Sequence, residues 1–446
     1  MENIVIMGLG RTGLSCVRHF NGLGQTVSVT DSREQPPALA ACRQQFPNVP
    51  VTTGGFDEAQ LRGADHIVLS PGISVNQPAV ARAIERGVVV IGDVEVFARH
   101  VNAPVAAITG TNGKSTVTAL VADMLQAAGK RVYAGGNFGT PVLDLLAQPV
   151  PDAYVLELSS FQLQSTTSLR PRVACLLNIS PDHLDWHQDM DEYLRAKLRV
   201  FHAAQTAVVY ADDERLSPRE QVNEQITFSI HREAHCTVRQ TERGLCLVYG
   251  DELICPLDAM RMAGKHNWEN ALAASAMAIA MGVAIKDCRS VLEHFSGLEH
   301  RCQWVAESDG VRWFNDSKGT NVGATVAAIN SLADDCERSG GKIILIAGGL
   351  SKGADFQPLR KSVRQWARSV IMFGADAAKM QTALKDTTLL IRASSLEEAV
   401  NAAHRWAQAG DVVLFSPACA SFDMFDNYRH RGDCFVRAVK EICHDR

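Results

Sequence analysis

The chain has 446 residues, 46% of them hydrophobic, and a formal net charge of −5 at pH 7. This length predicts about three domains of roughly 150 residues each, and the hydrophobic content is ordinary for a globular protein. The charge is mild and no basic block stands out, so nucleic acid is not an expected partner. No run of about 18 apolar residues occurs, so no membrane span is expected.

The 12 cysteines are scattered, form no Cys-x-x-Cys pair and lie mostly in apolar segments. This pattern predicts reduced core thiols of a cytosolic protein. The N-terminal residues enter an apolar strand at once, without a basic stretch or a cleavage site. We therefore expect a soluble, cytoplasmic protein, and we expect it to be a monomer.

The first 93 residues show the pattern of a small α/β domain. A strand at 3–8 leads into the turn Gly8–Gly13 (GLGRTG), and a second strand at 26–30 ends at Asp31. A GxGxxG turn followed by an acidic residue is typical of dinucleotide-binding folds, in which the carboxylate binds a ribose. Further strands at 66–70 and 88–91 put Ser70-Pro71-Gly72 at a strand end, where ligands bind in such sheets. Taken alone, this segment makes an NAD-dependent enzyme the default interpretation.

Residues 104–118 (PVAAITGTNGKSTVT) have the layout of a phosphate-binding loop: a buried strand, a glycine turn, Gly-Lys-Ser and a helix. The glycines let backbone N–H groups approach phosphate oxygens at the positive end of the helix. Lys114 is placed to reach a β- or γ-phosphate, and the Ser115 hydroxyl to bind Mg²⁺. Ile108 replaces the first glycine of the common form. The alternative is a glycine turn before an ordinary helix.

Strands at 153–156 and 173–177 each end in polar residues, at the sheet edge where the phosphate loop also lies. Glu157, Asp182, His183 and Asp185 arrive there as metal ligands or proton carriers. Mg²⁺ prefers one or two protein ligands together with phosphate oxygens and water, which a Glu and a His would allow. The alternatives are a helix N-cap for Asp182 and a first-turn acid for Asp185.

A helix is predicted at 189–204, followed by a β-rich stretch at 206–256. The residues around Lys197 allow its side chain to point either inward or to the surface, and the sequence pattern alone favours the surface. A long alanine-rich helix then runs to Met281. Its first turn carries His266, Asn267 and Asn270, which either face a purine or its phosphates or form an ordinary polar turn.

The last third of the chain alternates strands and helical segments, which predicts another doubly wound α/β unit. Its predicted strands are 311–314, 343–347, 370–373, 389–391 and 412–415. Polar loops follow three of them, and two of these loops contain Lys318 and Lys352. Lysines among hydroxyls and small residues suit an acidic substrate. The alternative for each is a solvated surface lysine.

Six motifs occur in a fixed order: TGTNGKST, LELSSFQL, NISPDHLDWH, GKHNWENALAA, Glu299-His300-Arg301 and NDSKGTN. In this combination the sequence resembles the ATP-dependent Mur ligases of peptidoglycan synthesis, whose relatives include folylpolyglutamate synthase. The segments GLGRTGLS, SPGI and SPACASFDMFDNYRHRGDCF are similar to members that add D-glutamate, so the resemblance covers essentially the whole chain. The Asp-Asn-Pro-Arg motif of members that add diaminopimelate or lysine is missing, and Tyr428 stands where Phe is expected.

The resemblance implies an α/β fold of three domains. These would be a Rossmann-like UDP-binding domain at 1–93, a central P-loop ATPase-like domain at 94–298 and a Rossmann-like amino-acid-binding domain at 299–446. The implied reaction adds D-glutamate to UDP-N-acetylmuramoyl-L-alanine through an acyl phosphate, in the synthesis of peptidoglycan precursors. The implied cofactors are ATP and two Mg²⁺ ions.

The resemblance also implies roles for individual residues. The catalytic residues would be Lys114, His183, Lys197 and Arg301. ATP would be bound by Gly110, Thr111, Asn112, Gly113, Lys114, Ser115, Thr116, His266, Asn267, Asn270, Arg301, Asp316 and Lys318. The UDP-linked substrate would be bound by Thr12, Asp31, Ser32, Arg33, Gly72, Asn137 and His183, and D-glutamate by Thr320, Lys352, Ser421, Phe422 and Tyr428. The metal ligands would be Ser115, Glu157, His183 and Lys197, the last as a carbamate formed with CO₂.

Three other functions remain as alternatives. An NAD-dependent oxidoreductase would explain GLGRTG and Asp31 but would give TGTNGKST no role. A non-catalytic P-loop switch would hydrolyse nucleotide slowly, without dependence on an amino acid. Folylpolyglutamate synthase shares the central motifs but does not need the N-terminal nucleotide-type domain.

Overall fold

The computed structural model describes residues 2–183, 186–262 and 264–444, and of residues 334, 335 and 444 it gives the backbone alone. Within these residues the strands form three sheets, of five, nine and six strands. The chain divides into two compact units: residues up to Ile254 with Asn270–Val291, and Cys255–Glu269 with the residues from Leu292 onward. The alternation of strands and helices confirms the predicted α/β class.

The first sheet is parallel and has the order β3-β2-β1-β4-β5. Its strands are β1 (Asn3–Met7), β2 (Thr26–Asp31), β3 (Val51–Thr53), β4 (His66–Leu69) and β5 (Val89–Gly92). The helices are α1 (Arg11–Gly22), α2 (Leu39–Gln45), α3 (Glu58–Arg62), α4 (Pro78–Glu85) and α5 (Asp93–His100). Successive residues of β1 enter opposite apolar clusters, Ile4 and Ile6 one, Val5 and Met7 the other. Helices cover both faces of this sheet, so β1 is a continuous apolar run.

The second sheet has the order β14-β13-β12-β11-β10-β9-β6-β8-β7. Its strands are β6 (Val105–Thr109), β7 (Val132–Gly136), β8 (Ala153–Glu157), β9 (Val173–Leu176), β10 (Thr206–Tyr210), β11 (Glu224–Ser229), β12 (Cys236–Thr241), β13 (Gly244–Tyr249) and β14 (Glu252–Pro256). The helices are α6 (Lys114–Ala127), α7 (Val142–Leu146), α8 (Ser160–Gln164), α9 (Met190–Leu198), α10 (Lys265–Ala280) and α11 (Ile285–His294). Since β6 pairs in parallel with both β8 and β9, the ends of these three strands meet at one edge.

The third sheet has the order β15-β16-β20-β17-β18-β19 and is parallel except for β15. Its strands are β15 (Gln303–Ser308), β16 (Val311–Asn315), β17 (Ile343–Gly348), β18 (Ala367–Phe373), β19 (Leu389–Arg392) and β20 (Val412–Phe415). The helices are α12 (Val322–Ser339), α13 (Leu359–Trp366), α14 (Ala377–Ala383), α15 (Leu396–Trp406) and α16 (Tyr428–His444). Strand β20, at the centre, is fully buried.

Several local features differ from the sequence-based expectation. Strands β3, β7 and β15 had not been predicted. The helix expected over 189–204 ends at Leu198 and continues as a 3₁₀ turn, Arg199–Phe201. The cysteines are free thiols, and all except Cys302 and Cys443 are buried. In the described part of the chain, no helix combines the length and apolarity needed to cross a membrane.

Candidate active site

The phosphate loop joins the fully buried strand β6 to helix α6. Gly113, directly before the helix, has φ of +80°, a left-handed conformation that glycine adopts without strain. A Cβ atom at this position would lie 2.3 Å from Oδ1 of Asn270, so glycine also allows Asn270 to approach the loop. The 14-residue helix α6 starts at Lys114, and its free N–H groups and dipole form an anion site.

Asn178, which follows β9, fixes the shape of the phosphate loop. Its carbonyl oxygen accepts from the Thr111 N–H at 3.1 Å, and its side-chain Oδ1 accepts from the Asn112 N–H at 2.9 Å. Its Nδ2 donates back to the Asn112 carbonyl at 3.1 Å. Tyr193 of α9 adds a contact of 3.2 Å between its hydroxyl and Thr111 Oγ1. Neither Asn178 nor Tyr193 had been predicted as a site residue, although Asn178 opens the motif NISPDH at a strand end.

Two lysines meet at the carbonyl oxygen of Gly110. Lys114 Nζ donates to it at 2.9 Å and to the Thr111 carbonyl at 2.8 Å, while Lys197 Nζ donates to it at 2.7 Å. Lys197 is only 2% exposed, so the surface location favoured by its sequence pattern is wrong. Burial, and then the charge of Lys114, lowers the pKa of Lys197 to about 7. A substantial fraction of its amine is therefore in the neutral, nucleophilic form near neutral pH.

Glu157, at the end of β8, lies beside the first turn of α6. Its Oε2 accepts from Ser115 Oγ at 2.7 Å and its Oε1 accepts from Asn137 Nδ2 at 2.7 Å. Glu157 is 2% exposed. A buried carboxylate and a serine hydroxyl next to a phosphate loop are the hard oxygen ligands that Mg²⁺ prefers. The donor set therefore fits a magnesium ion that also keeps phosphate and water ligands.

His183 and Asp182 are much more exposed than Glu157. His183 has φ of +53°, and its ring packs edge-on against Phe161 at 4.9 Å between centroids. Asp182 Oδ2 lies 3.5 Å from His183 Nε2. Asp182 is not a helix N-cap, because the cap of α9 is Asp189, which accepts from the Glu192 N–H. Asp185 lies outside the described residues.

Among the described residues, no group of three or more His, Cys, Asp or Glu side chains is arranged to hold a metal ion. The metal ligands implied by the resemblance include only two residues of these types, Glu157 and His183. The others are Ser115 and a modified Lys197, which a search for ordinary ligand clusters does not count. This implied set of metal ligands would therefore be complete only if Lys197 is converted to an anion.

The first sheet carries a cleft of about 490 Å³ above the ends of β1 and β4. Six residues predicted to bind the UDP-linked substrate line it: Thr12, Asp31, Ser32, Arg33, Gly72 and Asn137. His183, the seventh, is not a lining residue of this cleft. Arg11 of the motif GLGRTG also lines it and had not been predicted, and so does Ser70, whose loop had been placed at a ligand-binding strand end without a role for Ser70 itself.

The Asp31 carboxylate accepts hydrogen bonds from neighbouring groups of the protein. Its Oδ2 accepts from the Leu9 N–H and from Arg33 Nη2, both at 2.6 Å, and its Oδ1 accepts from Arg33 Nε at 2.9 Å. Burial raises the pKa of Asp31, but these hydrogen bonds outweigh it and hold the pKa below its usual range. Asp31 therefore ties the glycine turn to Arg33, and its oxygens are not free for a ribose in the manner of a dinucleotide fold.

Arg431 of α16 links two of the polar loops on the third sheet. Its side chain is fully buried and donates to Ser317 Oγ at 3.1 Å, to the Ser317 carbonyl at 2.9 Å and to the Cys419 carbonyl at 3.1 Å. Burial lowers the pKa of Arg431 to about 10. Sequence reasoning missed this residue, since a single arginine in a helix gives no signal of burial.

The loops after β16, β17 and β20 gather the predicted substrate-binding residues of the third sheet. Leu350 and Ala420 exchange backbone hydrogen bonds of 3.0 Å, which joins the loop of Lys352 to the loop of Ser421. Lys352 Nζ lies 5.4 Å from the Phe422 ring centre. Phe422 is 66% exposed, unusual for a large apolar side chain, whereas Ser421 is buried. Thr320 is exposed on the loop after β16.

Lys318, Asp316 and Arg301 form a second group on this sheet. Lys318 Nζ lies 5.9 Å from the Tyr428 ring centre, and the Lys318 N–H donates to the His300 carbonyl. Asp316 Oδ2 accepts from Ser416 Oγ at 2.7 Å, and burial raises the pKa of Asp316 to about 6. The charge of Arg301 acts on both Asp316 and Tyr428. Of the other predicted ATP contacts, His266 and Asn267 lie in the first turn of α10.

These observations define a class: an α/β protein with a P-loop nucleotide site, beside which a lysine is buried, and further polar clusters at the ends of parallel strands. Family models match three consecutive segments of the chain. They are the MurD-like N-terminal domain of Mur ligases at residues 2–92, the Mur ligase middle domain at 108–278 and the Mur ligase glutamate ligase domain at 300–419. The chain belongs to the Mur ligase family.

Curated relatives match over nearly the full length. The chain is 49% identical over 441 residues to the UDP-N-acetylmuramoylalanine–D-glutamate ligase of Nitrosococcus oceani, covering 98% of this chain and 96% of that protein. It is 47% identical over 444 residues to the protein of the same name from Hahella chejuensis, covering 99% and 98%. The relative of that name from Legionella pneumophila is 45% identical, covering 98% and 99%.

Solved structures show the same fold at low sequence identity. UDP-N-acetylmuramate-alanine ligase MurC from Thermotoga maritima is similar with a TM-score of 0.57 and 18% identity, covering 99% of this chain and 100% of that one. A UDP-N-acetylmuramoyl-L-alanyl-D-glutamate–2,6-diaminopimelate ligase gives a TM-score of 0.60 at 18% identity, covering 94% and 93%. At this identity the likeness concerns the fold alone.

Proposed function

We propose that the protein is an ATP-dependent ligase that adds D-glutamate to UDP-N-acetylmuramoyl-L-alanine in peptidoglycan precursor synthesis. The observation that carries the proposal is the phosphate loop with Lys114 and with Ser115 bonded to the buried Glu157. Relatives that bear the name of this ligase match 98–99% of the chain. We propose that the reaction takes place in the cytoplasm, where ATP is available. We also propose that the protein is a monomer.

The proposed domain boundaries follow the three sheets. Residues 1–93 would bind UDP, residues 94–298 would bind ATP, and residues 299–446 would bind the amino acid. The cleft on the first sheet supports the first assignment, because Arg33 and Arg11 offer cations to a diphosphate and glycine turns let it approach the backbone.

ATP would lie on the phosphate loop. The N–H groups from Gly113 to Thr116 and the α6 dipole would face the phosphates, while Asn178 accepts from the N–H groups of Thr111 and Asn112 and so keeps the loop in shape. Lys114 would exchange its two carbonyl partners for phosphate oxygens, which are stronger acceptors. From the other residues of the predicted set, Asn270 contacts the loop glycine. We propose that His266, Asn267, Asp316 and Lys318 also bind the nucleotide.

Magnesium would be held by Ser115, Glu157 and His183, together with Lys197 as a carbamate, and we propose two ions. Bound Mg²⁺ would neutralise the charge that builds up when a phosphoryl group meets a carboxylate. The lowered pKa of Lys197 supports the modification, because only a neutral amine attacks CO₂. The new N–C bond gives a carbamate anion and releases one proton. The Lys197 side chain, a cation when protonated, would thereby become an anionic oxygen ligand for a metal ion.

The chemistry joins a carboxylate to an amine, which needs activation. The γ-phosphoryl group of ATP would pass to the alanyl carboxylate to give an acyl phosphate and ADP. The amine of D-glutamate would then attack the acyl carbon, and phosphate would leave. Lys114 and Arg301 would offset the repulsion between the anionic partners, and His183 or a nearby carboxylate would accept the amine proton.

D-Glutamate would bind on the third sheet through Thr320, Lys352, Ser421, Phe422 and Tyr428. Lys318 Nζ lies 5.9 Å from the Tyr428 ring centre and Lys352 Nζ lies 5.4 Å from the Phe422 ring centre, so each lysine places positive charge beside a predicted glutamate-binding residue. The hydrogen bond from Arg429 and the charges of Lys318 and Arg301 lower the pKa of Tyr428, which is a consequence of the cations gathered at this edge.

The experiment that tests the function is phosphate release from Mg·ATP with UDP-N-acetylmuramoyl-L-alanine, with each amino acid added separately. We expect release only when both the UDP-linked substrate and D-glutamate are present, and we expect Lys114→Ala to abolish it. Lys286→Ala, an exposed lysine on α11, is the control. Equal stimulation by L-glutamate, lysine or diaminopimelate would contradict the substrate assignment. Slow release without any amino acid would favour a P-loop switch, and tight NADH binding would favour an oxidoreductase.

A further inference from the structure

A cavity of about 740 Å³ lies against helix α9 in the first compact unit. None of its lining residues belongs to the predicted ATP, UDP, glutamate or metal sites. Its size is typical of pockets that hold small organic ligands. We call it the α9 cavity; the residues used below are Leu194, Arg195, Leu198, Phe201, Arg219 and Glu220.

The inner wall of the α9 cavity is apolar. Leu194 and Leu198 are each 9% exposed and lie one helical turn apart, and Phe201 of the following 3₁₀ turn is 2% exposed. Such a wall favours a ligand with a hydrocarbon or aromatic body, because covering it removes apolar surface from water.

The rim of the cavity carries two arginines that have no partner among the described residues. Arg195 and Arg219 are exposed and make no hydrogen bond or ion pair with any residue that the structure describes. The neighbouring Arg199 is different, because it donates to the carbonyls of Leu163 at 2.8 Å and Thr166 at 2.6 Å. Two unpaired guanidinium groups above an apolar wall provide charge-assisted hydrogen bonds for a carboxylate or phosphate.

Two carboxylates, Asp191 and Glu220, also line the rim. Glu220 lies 3.0 Å from His202 Nδ1. The lining contains three arginines against these two carboxylates, so its formal charge stays positive and favours an anion.

The α9 cavity is separate from the phosphate loop. Arg195 precedes Lys197 by two residues, which turns its side chain by about 200° around the helix axis. Lys197 contacts the Gly110 carbonyl on its own side of α9. A ligand in the cavity would thus touch the helix that carries Lys197 without touching ATP.

We propose that the α9 cavity is a second ligand site, which binds a small organic anion with an apolar body. The two arginines bind the anionic group and the wall formed by Leu194, Leu198 and Phe201 binds the body. The site requires no covalent step.

Isothermal titration calorimetry with 4-phenylbutyrate tests this site. Its uncharged analogue 4-phenylbutan-1-ol keeps the body and removes the anion. We expect 4-phenylbutyrate to bind the full chain, and the alcohol to bind at least tenfold more weakly. The double variant Arg195→Ala/Arg219→Ala should lose at least tenfold in affinity for 4-phenylbutyrate, while the control Arg243→Ala, an exposed arginine in the turn between β12 and β13, stays within twofold of the parent protein.

The double variant should keep the parent rate of phosphate release and the parent melting temperature, since neither arginine belongs to the proposed catalytic machinery. Binding of the acid and the alcohol with equal affinity would overturn the anion site. Undiminished binding to the double variant, or no binding of 4-phenylbutyrate to the parent protein at millimolar concentration, would also overturn it.

Discussion

At the scale of the residue, Lys197 shows how position changes the chemistry of a side chain. A lysine in water has a pKa of about 10.4 and is almost fully protonated at pH 7. Here burial lowers the pKa to about 7, while hydrogen bonds to the Gly110 carbonyl and to Thr109 Oγ1 hold the amine in place. A substantial fraction of this lysine is therefore a neutral, oriented nucleophile beside the phosphate loop.

Replacing Lys197 tests whether its modified form contributes an anion to the site. We expect Lys197→Ala to lower the rate of D-glutamate-dependent phosphate release by about 100-fold, the upper end for changes near a metal site. Acetate added at high concentration should restore part of the rate, because it supplies a carboxylate in the space left by the side chain. Lys286→Ala should keep the parent rate with or without acetate. A Lys197→Ala protein with full activity would rule out the proposed role.

Asp93 provides a test of burial through the pH dependence of stability. It is 2% exposed, its Oδ2 accepts from Gln162 Nε2 at 3.3 Å, and burial raises its pKa to about 6. Between pH 4 and 6 the folded state therefore binds more protons at this site than the unfolded state does. Its contribution to the free energy of unfolding must fall as the pH rises across this interval.

We expect Asp93→Asn to remove this penalty, because an amide oxygen still accepts from Gln162 and carries no charge. The difference in unfolding free energy between variant and parent should rise by up to about 3 kcal/mol from pH 4 to pH 7. Urea denaturation at several pH values measures it. Leu23→Ala, at an exposed apolar position, is the control, since it removes no titratable group and should show a difference that does not change with pH. A flat profile for Asp93→Asn would show that its folded pKa is not raised.

At the scale of the element, helix α16 holds two loops of the third sheet in place through hydrogen bonds from Arg431. Arg431 extends from its first turn to Ser317 and Cys419, which lie on the loops after β16 and β20. These loops carry Lys318 and Ser421. The end of a helix thus fixes backbone segments that are more than 100 residues apart in sequence.

Removing the Arg431 guanidinium leaves two buried carbonyl oxygens without these donors, each costing about 1–3 kcal/mol. We expect Arg431→Met to lower the free energy of unfolding by about 3 kcal/mol and to raise KM for D-glutamate, because the loops lose their common anchor. Arg437→Met, an exposed position on the same helix, should change neither quantity. Denaturant unfolding and steady-state kinetics measure both effects. A stable variant with an unchanged KM would show that the hydrogen bonds of Arg431 are not needed to hold the two loops.

At the scale of the whole molecule, the predicted ATP-binding residues belong to two compact units. Lys114 lies in one unit and Lys318 in the other. Closure of an enzyme around its bound substrates is a common catalytic step, and it changes the dimensions of the molecule in solution.

We therefore expect small-angle scattering curves to change when a non-hydrolysable ATP analogue, Mg²⁺ and UDP-N-acetylmuramoyl-L-alanine are added together. Lys114→Ala should show a smaller change at the same concentrations, because it weakens nucleotide binding. Identical curves with and without ligands, at concentrations that saturate the site, would contradict a coupled movement.

The α/β class and most strands of the three sheets follow from the sequence, because buried parallel strands such as β6 and β17 are continuous apolar runs between polar loops. The strands that were not predicted lack this signal. β3 has three residues, β7 ends in two glycines, and none of the residues of β15 is buried. Edge or short strands are stabilised by their neighbours rather than by their own apolar pattern.

The sequence by itself determined the motifs of the site: the glycine turns, the Gly-Lys-Ser of the phosphate loop and the polar residues that follow strands. These depend on local conformation, so neighbouring residues are enough to specify them. Only the tertiary structure decided that Lys197 is buried, that Asp31 is bonded to Arg33, and that Asn178 and Arg431 anchor loops. Burial and hydrogen-bond partners depend on segments that are distant in the chain. Local sequence patterns do not specify which of these segments contact one another in the folded protein.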